Sequence, residues 1–242
     1  MATTGGLVRV LAWFIAISLA AATVLYAAIT FDLIAPQPNL PDNAGLIDNL
    51  LAQGAHLRAI WSADLGSSLL YALGFMATVL IARPLASLAR PGDARAGAMT
   101  GAFLAAGIVG IVAQLMYIGT HDVINAIAYC DCGFIEQEVI SQSWARFLSD
   151  SAVSWLINGT GVLLLAGFAL AGAAVGGSAM PTGWRYLSWA TALVLLSNVV
   201  VGVIGVDDPV GPILIAVETG ILIPIWAIWL GWSAPEAAAA AA

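Results

Sequence analysis

Long neutral runs dominate this chain, because no charged residue occurs between Arg9 and Asp32, Asp64 and Arg83, Arg95 and Asp122, Asp150 and Arg185, or Arg185 and Asp207. A helix needs about 20 predominantly apolar residues to cross the hydrocarbon core of a bilayer. The runs match that length. A soluble domain carries about 25% charged residues, whereas 9% of these 242 residues are charged and 61% are hydrophobic. So few charges cannot cover a globule in water. The expected fold is all-α, an integral membrane bundle of six helices, with spans at about 10–31, 59–82, 96–120, 151–177, 186–206 and 209–232 and no soluble domain between them. Residues 235–242 read as an Ala-rich tail. The first run is long for the apolar core of a signal peptide and reads as a retained helix.

Orientation follows from the basic residues, which are retained on the cytoplasmic side. Arg9, Arg83, Arg90, Arg95 and Arg185 fall on one side of the six-span arrangement, and Arg58 and Arg146 on the other. Both termini are therefore expected in the cytoplasm of a bacterial cell, with the bundle in its inner membrane. Asp32, Asp42, Asp48, Asp122, Asp131, Glu136, Glu138, Asp150, Asp207 and Asp208 all fall outside, which gives that face a cation-attracting field. Trp13, Trp184, Tyr186, Trp189, Trp229 and Trp232 are expected near the inner interface, and Trp61, Tyr117, Trp144 and Trp155 near the outer one. The chain has no Lys and a formal net charge of −7, so no basic stripe exists for a phosphate backbone and a nucleic-acid partner is excluded.

The inner connections are short and contain breakers: Pro84, Pro91 and Gly92 in one, Pro181 and Gly183 in the other. The outer connections are longer. After Pro36, Pro38 and Pro41, Asp42 can cap a short helix with Leu46, Ile47, Leu50 and Leu51 on one face, expected on the membrane surface. The second outer loop, His121 to Asp150, has room for two short helices and holds both cysteines.

Ionisable residues inside a span are functional candidates because each is costly against lipid. Glu218 lies fourteen residues from Trp232, about 21 Å at 1.5 Å per residue. Pro224 cannot donate to the carbonyl of Gly220, which loosens the backbone nearby. Asp64, Gln114, Asn158, Thr160 and Asn198 fall in the same outer half on other spans, while the inner half is nearly devoid of polar groups. The set reads as a polar pocket opening outward above an apolar floor, holding a ligand or ion, with Glu218 and Asn198 deepest. Ordinary interhelical hydrogen bonds are the competing explanation, at about 0.6 kcal/mol each.

Cys130-Asp131-Cys132, with His121 upstream and His56 on the first outer loop, is a second candidate. Two thiolates and an imidazole suit zinc or copper, although nearby cysteines outside the membrane more often form a disulfide. A bridge between positions two apart would be strained. With neither His inside a span, no haem between helices is expected. Asn158-Gly159-Thr160 matches a glycosylation sequon but lies within a span, out of reach of glycosylation. Gly97-x-x-x-Gly101 and Gly172-x-x-x-Gly176 permit close helix contact and are expected at internal packing positions.

The segment Met180-Pro181-Thr182-Gly183-Trp184-Arg185-Tyr186-Leu187-Ser188, followed by Val217-Glu218-Thr219-Gly220 and Ile225-Trp226-Ala227-Ile228-Trp229-Leu230-Gly231, resembles bacterial multi-pass membrane proteins of domain-of-unknown-function family 4386. The resemblance covers the last three spans; it implies a six-helix bundle and no activity. With no catalytic motif and no energy-coupling domain, the leading expectation is a non-enzymatic binding or accessory subunit that contacts the lipid bilayer and other membrane subunits. A proton- or cation-coupled carrier built around Glu218 and Asp64 is the first alternative. An outer-face metal or redox protein using His121, Cys130 and Cys132 is the second.

Overall fold

The computed structural model describes residues 4–39, 41, 45–129, 143–145, 147–176, 180–204 and 210–240. Among these the chain is helical and forms no sheet, which is what an apolar environment demands, since a helix satisfies its own backbone polar groups. The elements are α1 (Thr4–Thr30), α2 (Leu46–Ala86), α3 (Ala94–Tyr129), a π-helical turn (Leu148–Val153) leading into α4 (Ser154–Ala174), and α5 (Thr182–Ile204). The last span is broken into α6 (Val210–Val217), a π-helical turn (Glu218–Leu222) and α7 (Ile223–Ala240). Six stretches are long and apolar enough to cross a membrane: Thr4–Thr30, Ala52–Ala86, Ala94–Ile124, Ser151–Ala174, Thr182–Ile204 and Val210–Ala234. The protein is a multi-pass membrane protein.

The helices close into a ring in chain order, α1 against α2, α2 against α3, α3 against α4, α4 against α5, and the last span back against α1. The seam between α5 and the last span is the sparsest in this ring. One end of the bundle, where Arg83 and Arg185 lie, is packed solid: Val8, Leu85, Met99, Trp184 and Leu230 are all fully buried. Toward the end marked by Asp64 and His121, side chains are smaller and more polar, and the interior is hollow.

Several elements differ from the sequence expectation. The short surface helix expected after Asp42 is not separate, because Leu46 to Leu51 begin α2 and continue unbroken into the second span; Asp42 itself lies outside the described residues. No proline interrupts this stretch, and the lone Gly54 costs only about 1 kcal/mol relative to Ala. Helix α3 likewise runs past Thr120, so His121 and Asp122 are helical and not part of a loop. Helix α1 does end at its expected charge: Asp32 adopts a left-handed conformation (φ 56°) and Leu33 N–H bonds back to the Ala28 carbonyl at 2.9 Å, closing the helix.

The two glycine pairs, expected to be alike, part company. A Cβ on Gly172 or Gly176 would come within 2.7 Å of Trp189 Nε1 and 2.5 Å of Arg185 Cβ respectively, so this pair does hold α4 close to the α5 end. A Cβ on Gly97 or Gly101 would meet nothing within 4 Å. That pair faces away from the bundle, because the spacing sets a shared face but not which way the face points. Trp184, at the start of α5, turns inward and is fully buried. Its indole packs on that of Trp226 (5.0 Å, 30°), and its Nε1–H donates to the Trp226 carbonyl at 3.2 Å.

Candidate functional site

The polar residues at matched depth meet at one cavity of about 180 Å³, lined by Asp64, Gln114, Asn158, Thr160, Asn198 and Glu218 together with aromatic and hydroxyl side chains from α1, α2 and α3. A void of this size holds several waters or a small organic molecule. Its floor is aromatic. Phe103 packs edge-on against Phe168 (5.4 Å, 89°), and Phe168 edge-on against Trp226 (4.9 Å, 82°). Trp226 Nε1–H donates to Ser188 Oγ at 2.8 Å, and Ser188 Oγ–H to the Trp184 carbonyl at 2.9 Å. Both indole N–H groups in this layer, those of Trp184 and Trp226, thus have partners.

Glu218 is buried, at 5% exposure, on the π-helical turn of the last span. There the Ile223 N–H reaches the Glu218 carbonyl, a bond spanning five residues instead of four. Pro224 follows immediately. A proline has no N–H to give the carbonyl four residues back, and the widened turn is the local accommodation of that missing donor; such π-bulges recur at functional sites. Asn198 Nδ2 donates to Glu218 Oε2 at 3.0 Å across the seam between α5 and the last span. This is the carboxyl's one polar partner among the described residues.

Asp64 makes a different arrangement. It is 7% exposed, and it accepts from Tyr117 Oη at 3.1 Å and from His121 Nδ1 at 2.7 Å. The Tyr117 and His121 rings lie 3.9 Å apart between centroids. The two carboxyls of the cavity thus have unlike surroundings, one held by an imidazole and a phenol, the other by a neutral amide.

A third group of polar side chains escapes the sequence reading. Thr23, Tyr71 and Thr219 bring three hydroxyls together, with Oγ1 of Thr23 and Thr219 2.8 Å apart and Tyr71 Oη 3.2 Å from each. Thr23 Oγ1–H also donates to the Leu19 carbonyl and Thr219 Oγ1–H to the Ile215 carbonyl, both at 2.8 Å. Such back-bonding hides a hydroxyl within its own helix, so the sequence gives no sign of the cluster. The close approach of the π-helical turn to α1 depends on Gly220, where a Cβ would stand 2.8 Å from Thr23 Cγ2.

The metal-ligating candidates are not assembled among the described residues. His121 is engaged with Asp64, His56 Nδ1 donates to the Pro36 carbonyl at 3.1 Å, and Cys130 and Cys132 lie outside the described residues. Among the described residues no group of three or more His, Cys, Asp or Glu side chains is placed to hold a metal ion. Tyr117, expected near the outer interface, points its hydroxyl at Asp64. The fold and cavity define a class, a multi-pass helical membrane protein with a hollow interior lined by two carboxyls. No protein-family model, curated protein or solved structure matches the chain.

Proposed function

We propose that the protein is a proton- or cation-coupled carrier whose substrate occupies the central cavity, with Glu218 as the coupling carboxyl. The observation that supports this reading most is the position of Glu218, buried in lipid-embedded protein yet lining a cavity and held by one neutral amide across the sparsest seam of the ring. A structural carboxyl would be expected to carry a full set of partners, since an unsatisfied buried charge costs several kcal/mol. A carboxyl that must exchange a proton or cation needs the opposite, an incomplete set and a path. The π-helical turn sets a widened stretch of backbone beside it, of the kind that recurs at functional sites.

In this reading the bundle sits in a bacterial cytoplasmic membrane with both termini inside, so the cavity half faces the acidic outer surface and the aromatic floor faces the cytoplasm. The resemblance of the last three spans to family 4386 contributes the bundle architecture and no activity. The test is flux: liposomes containing the protein and an internal pH dye are exposed to a panel of small cationic, neutral and anionic solutes. At least one solute changes lumenal pH with the wild-type protein and not with Glu218→Gln. A folded protein that gives no Glu218-dependent pH change across the panel, and no Glu218-dependent uptake of any of these solutes driven by a sodium gradient, contradicts the carrier.

A second reading, the accessory subunit, rests on a separate observation. Gly97 and Gly101 form a smooth strip on α3 that no helix among the described residues covers, and small residues at this spacing let another span approach closely. Its test is association: Gly97→Leu with Gly101→Leu abolishes any oligomer or complex seen by native mass spectrometry.

A further inference from the structure

We infer that the cavity selects a compact organic cation, an ammonium group on a small apolar or aromatic body; this rests on reading the cavity as a substrate site. The inference follows from counting donors and acceptors. Its two carboxyls offer only acceptor oxygens when ionised, and Glu218 has a single donor turned toward it, Asn198. At the hydroxyl cluster, three protons serve five contacts: two bonds to the Leu19 and Ile215 carbonyls and three contacts among Thr23, Tyr71 and Thr219. With both threonine protons given to their own helices, the tyrosine proton is the only one left for the trio, and lone pairs outnumber it. The chain has no Lys, and among the described residues no Arg lines the cavity. The amides of Gln114 and Asn158 on the same lining carry as many acceptor sites as donors, and each lining hydroxyl carries more. The surplus of acceptors set by the two carboxyls therefore stands, and such a site welcomes N–H⁺ donors and repels anions.

The apolar walls complete the description. Phe75, Phe103, Phe168 and Trp226 line the same cavity, and the faces of such rings attract cations while their bodies receive hydrocarbon. A cavity of about 180 Å³ is comparable to an engineered 150 Å³ void that takes up benzene. One ring with one ammonium group is therefore the scale of ligand. Water alone would leave the aromatic floor unmatched, and a bare metal ion would leave most of the volume empty.

The experiment uses three probes of nearly equal shape, benzylammonium, benzyl alcohol and benzoate, with the full chain in phosphatidylcholine nanodiscs and Trp226 and its neighbours as the fluorescence reporter. Benzylammonium is expected to bind at least tenfold more tightly than benzyl alcohol, and benzoate more weakly than either. Glu218→Gln is expected to weaken benzylammonium at least tenfold and leave benzyl alcohol within about twofold. Glu218→Asp, which keeps the charge, retains the preference for the cation and guards against a Gln variant that folds poorly. Equal binding of amine and alcohol, or an amine affinity unmoved by Glu218→Gln, overturns the cation and leaves a substrate cavity intact. Preference for benzoate, or no binding by any of the three, also overturns it, while the carrier reading stands or falls separately on the pH-linked flux.

Discussion

Asn198 on α5 and Glu218 on the last span are joined at 3.0 Å across the seam where the helical ring has least packing. Across the same seam, at the aromatic floor, Trp184 packs on Trp226 and Trp226 Nε1–H donates to Ser188 Oγ; at the level of the cavity, the Asn198–Glu218 hydrogen bond is what joins α5 to the last span among the described side chains. Its strength therefore bears on both the stability of the closed ring and the chemistry of the carboxyl.

Removing either partner tests this. Interhelical hydrogen bonds in membrane proteins average about 0.6 kcal/mol and reach about 1.7, and the carboxyl acceptor places this one toward the upper value whenever its proton is off. Asn198→Ala and Glu218→Ala, each of which removes its half of the bond, are expected to show a coupling energy of about 1–2 kcal/mol in a double-mutant cycle of unfolding in mixed micelles. A coupling near zero means that the two side chains do not hold the seam.

The glycines give a contrast of sign. Gly220→Ala places a methyl 2.8 Å from Thr23 Cγ2 and should cost about 1–3 kcal/mol through overpacking. It should also lengthen the contact between Thr23 and Thr219. Gly97→Ala meets nothing within 4 Å and should leave the thermal midpoint unchanged or raise it slightly, since Ala is favoured over Gly in a helix by about 1 kcal/mol. Thermal melts of the two variants side by side check both.

The floor predicts its own hierarchy. Trp226→Ala empties the centre of the aromatic layer and should destabilise by about 3–5 kcal/mol. Trp226→Phe keeps most of the volume, loses the donor to Ser188, and should cost about 1 kcal/mol from the lost bond. If the two variants melt alike, packing is not what seals the cavity.

On the connection between α2 and α3, Asp93 accepts from the Arg95 backbone N–H at 2.9 Å and from its guanidinium at 2.7 Å. The Arg95 side chain above all, and then its backbone N–H, hold the Asp93 carboxyl below the usual carboxylate range. A lowered folded-state value means that the stabilisation is fully present above the ordinary Asp range and disappears as pH falls through the depressed value. Asp93→Asn should thus narrow the difference in thermal midpoint between pH 7 and strongly acidic solution, and lower the midpoint at pH 7.

Depth was the most legible property of the site. Asp64, Gln114, Asn158, Asn198 and Glu218 stand out against apolar helices, and a rise of 1.5 Å per residue ranks them from the charged boundaries. That they line one cavity depends on rotation about each helix axis, which low charge leaves undetermined because nearly every face is apolar. The two glycine pairs make the point: identical spacing, one pair under Trp189 and Arg185, the other facing outward. The Thr23–Tyr71–Thr219 cluster was illegible for another reason, since threonine in a span is ordinarily satisfied by its own helix. Pro224 did mark disturbed backbone, and the π-helical turn beginning at Glu218 is the form it takes.

The central claim is that Glu218 is a reactive, exchangeable carboxyl and not a structural one. Dicyclohexylcarbodiimide, an apolar reagent that attacks protonated carboxyls away from water, tests it directly on the full chain in liposomes, read by peptide mass mapping alongside pH-linked solute flux. The account predicts modification at Glu218, its absence in Glu218→Gln, and a fall in flux in proportion to the fraction modified. Glu218 left unmodified in the bilayer under conditions that modify the unfolded chain, or fully modified with flux unchanged, would contradict it.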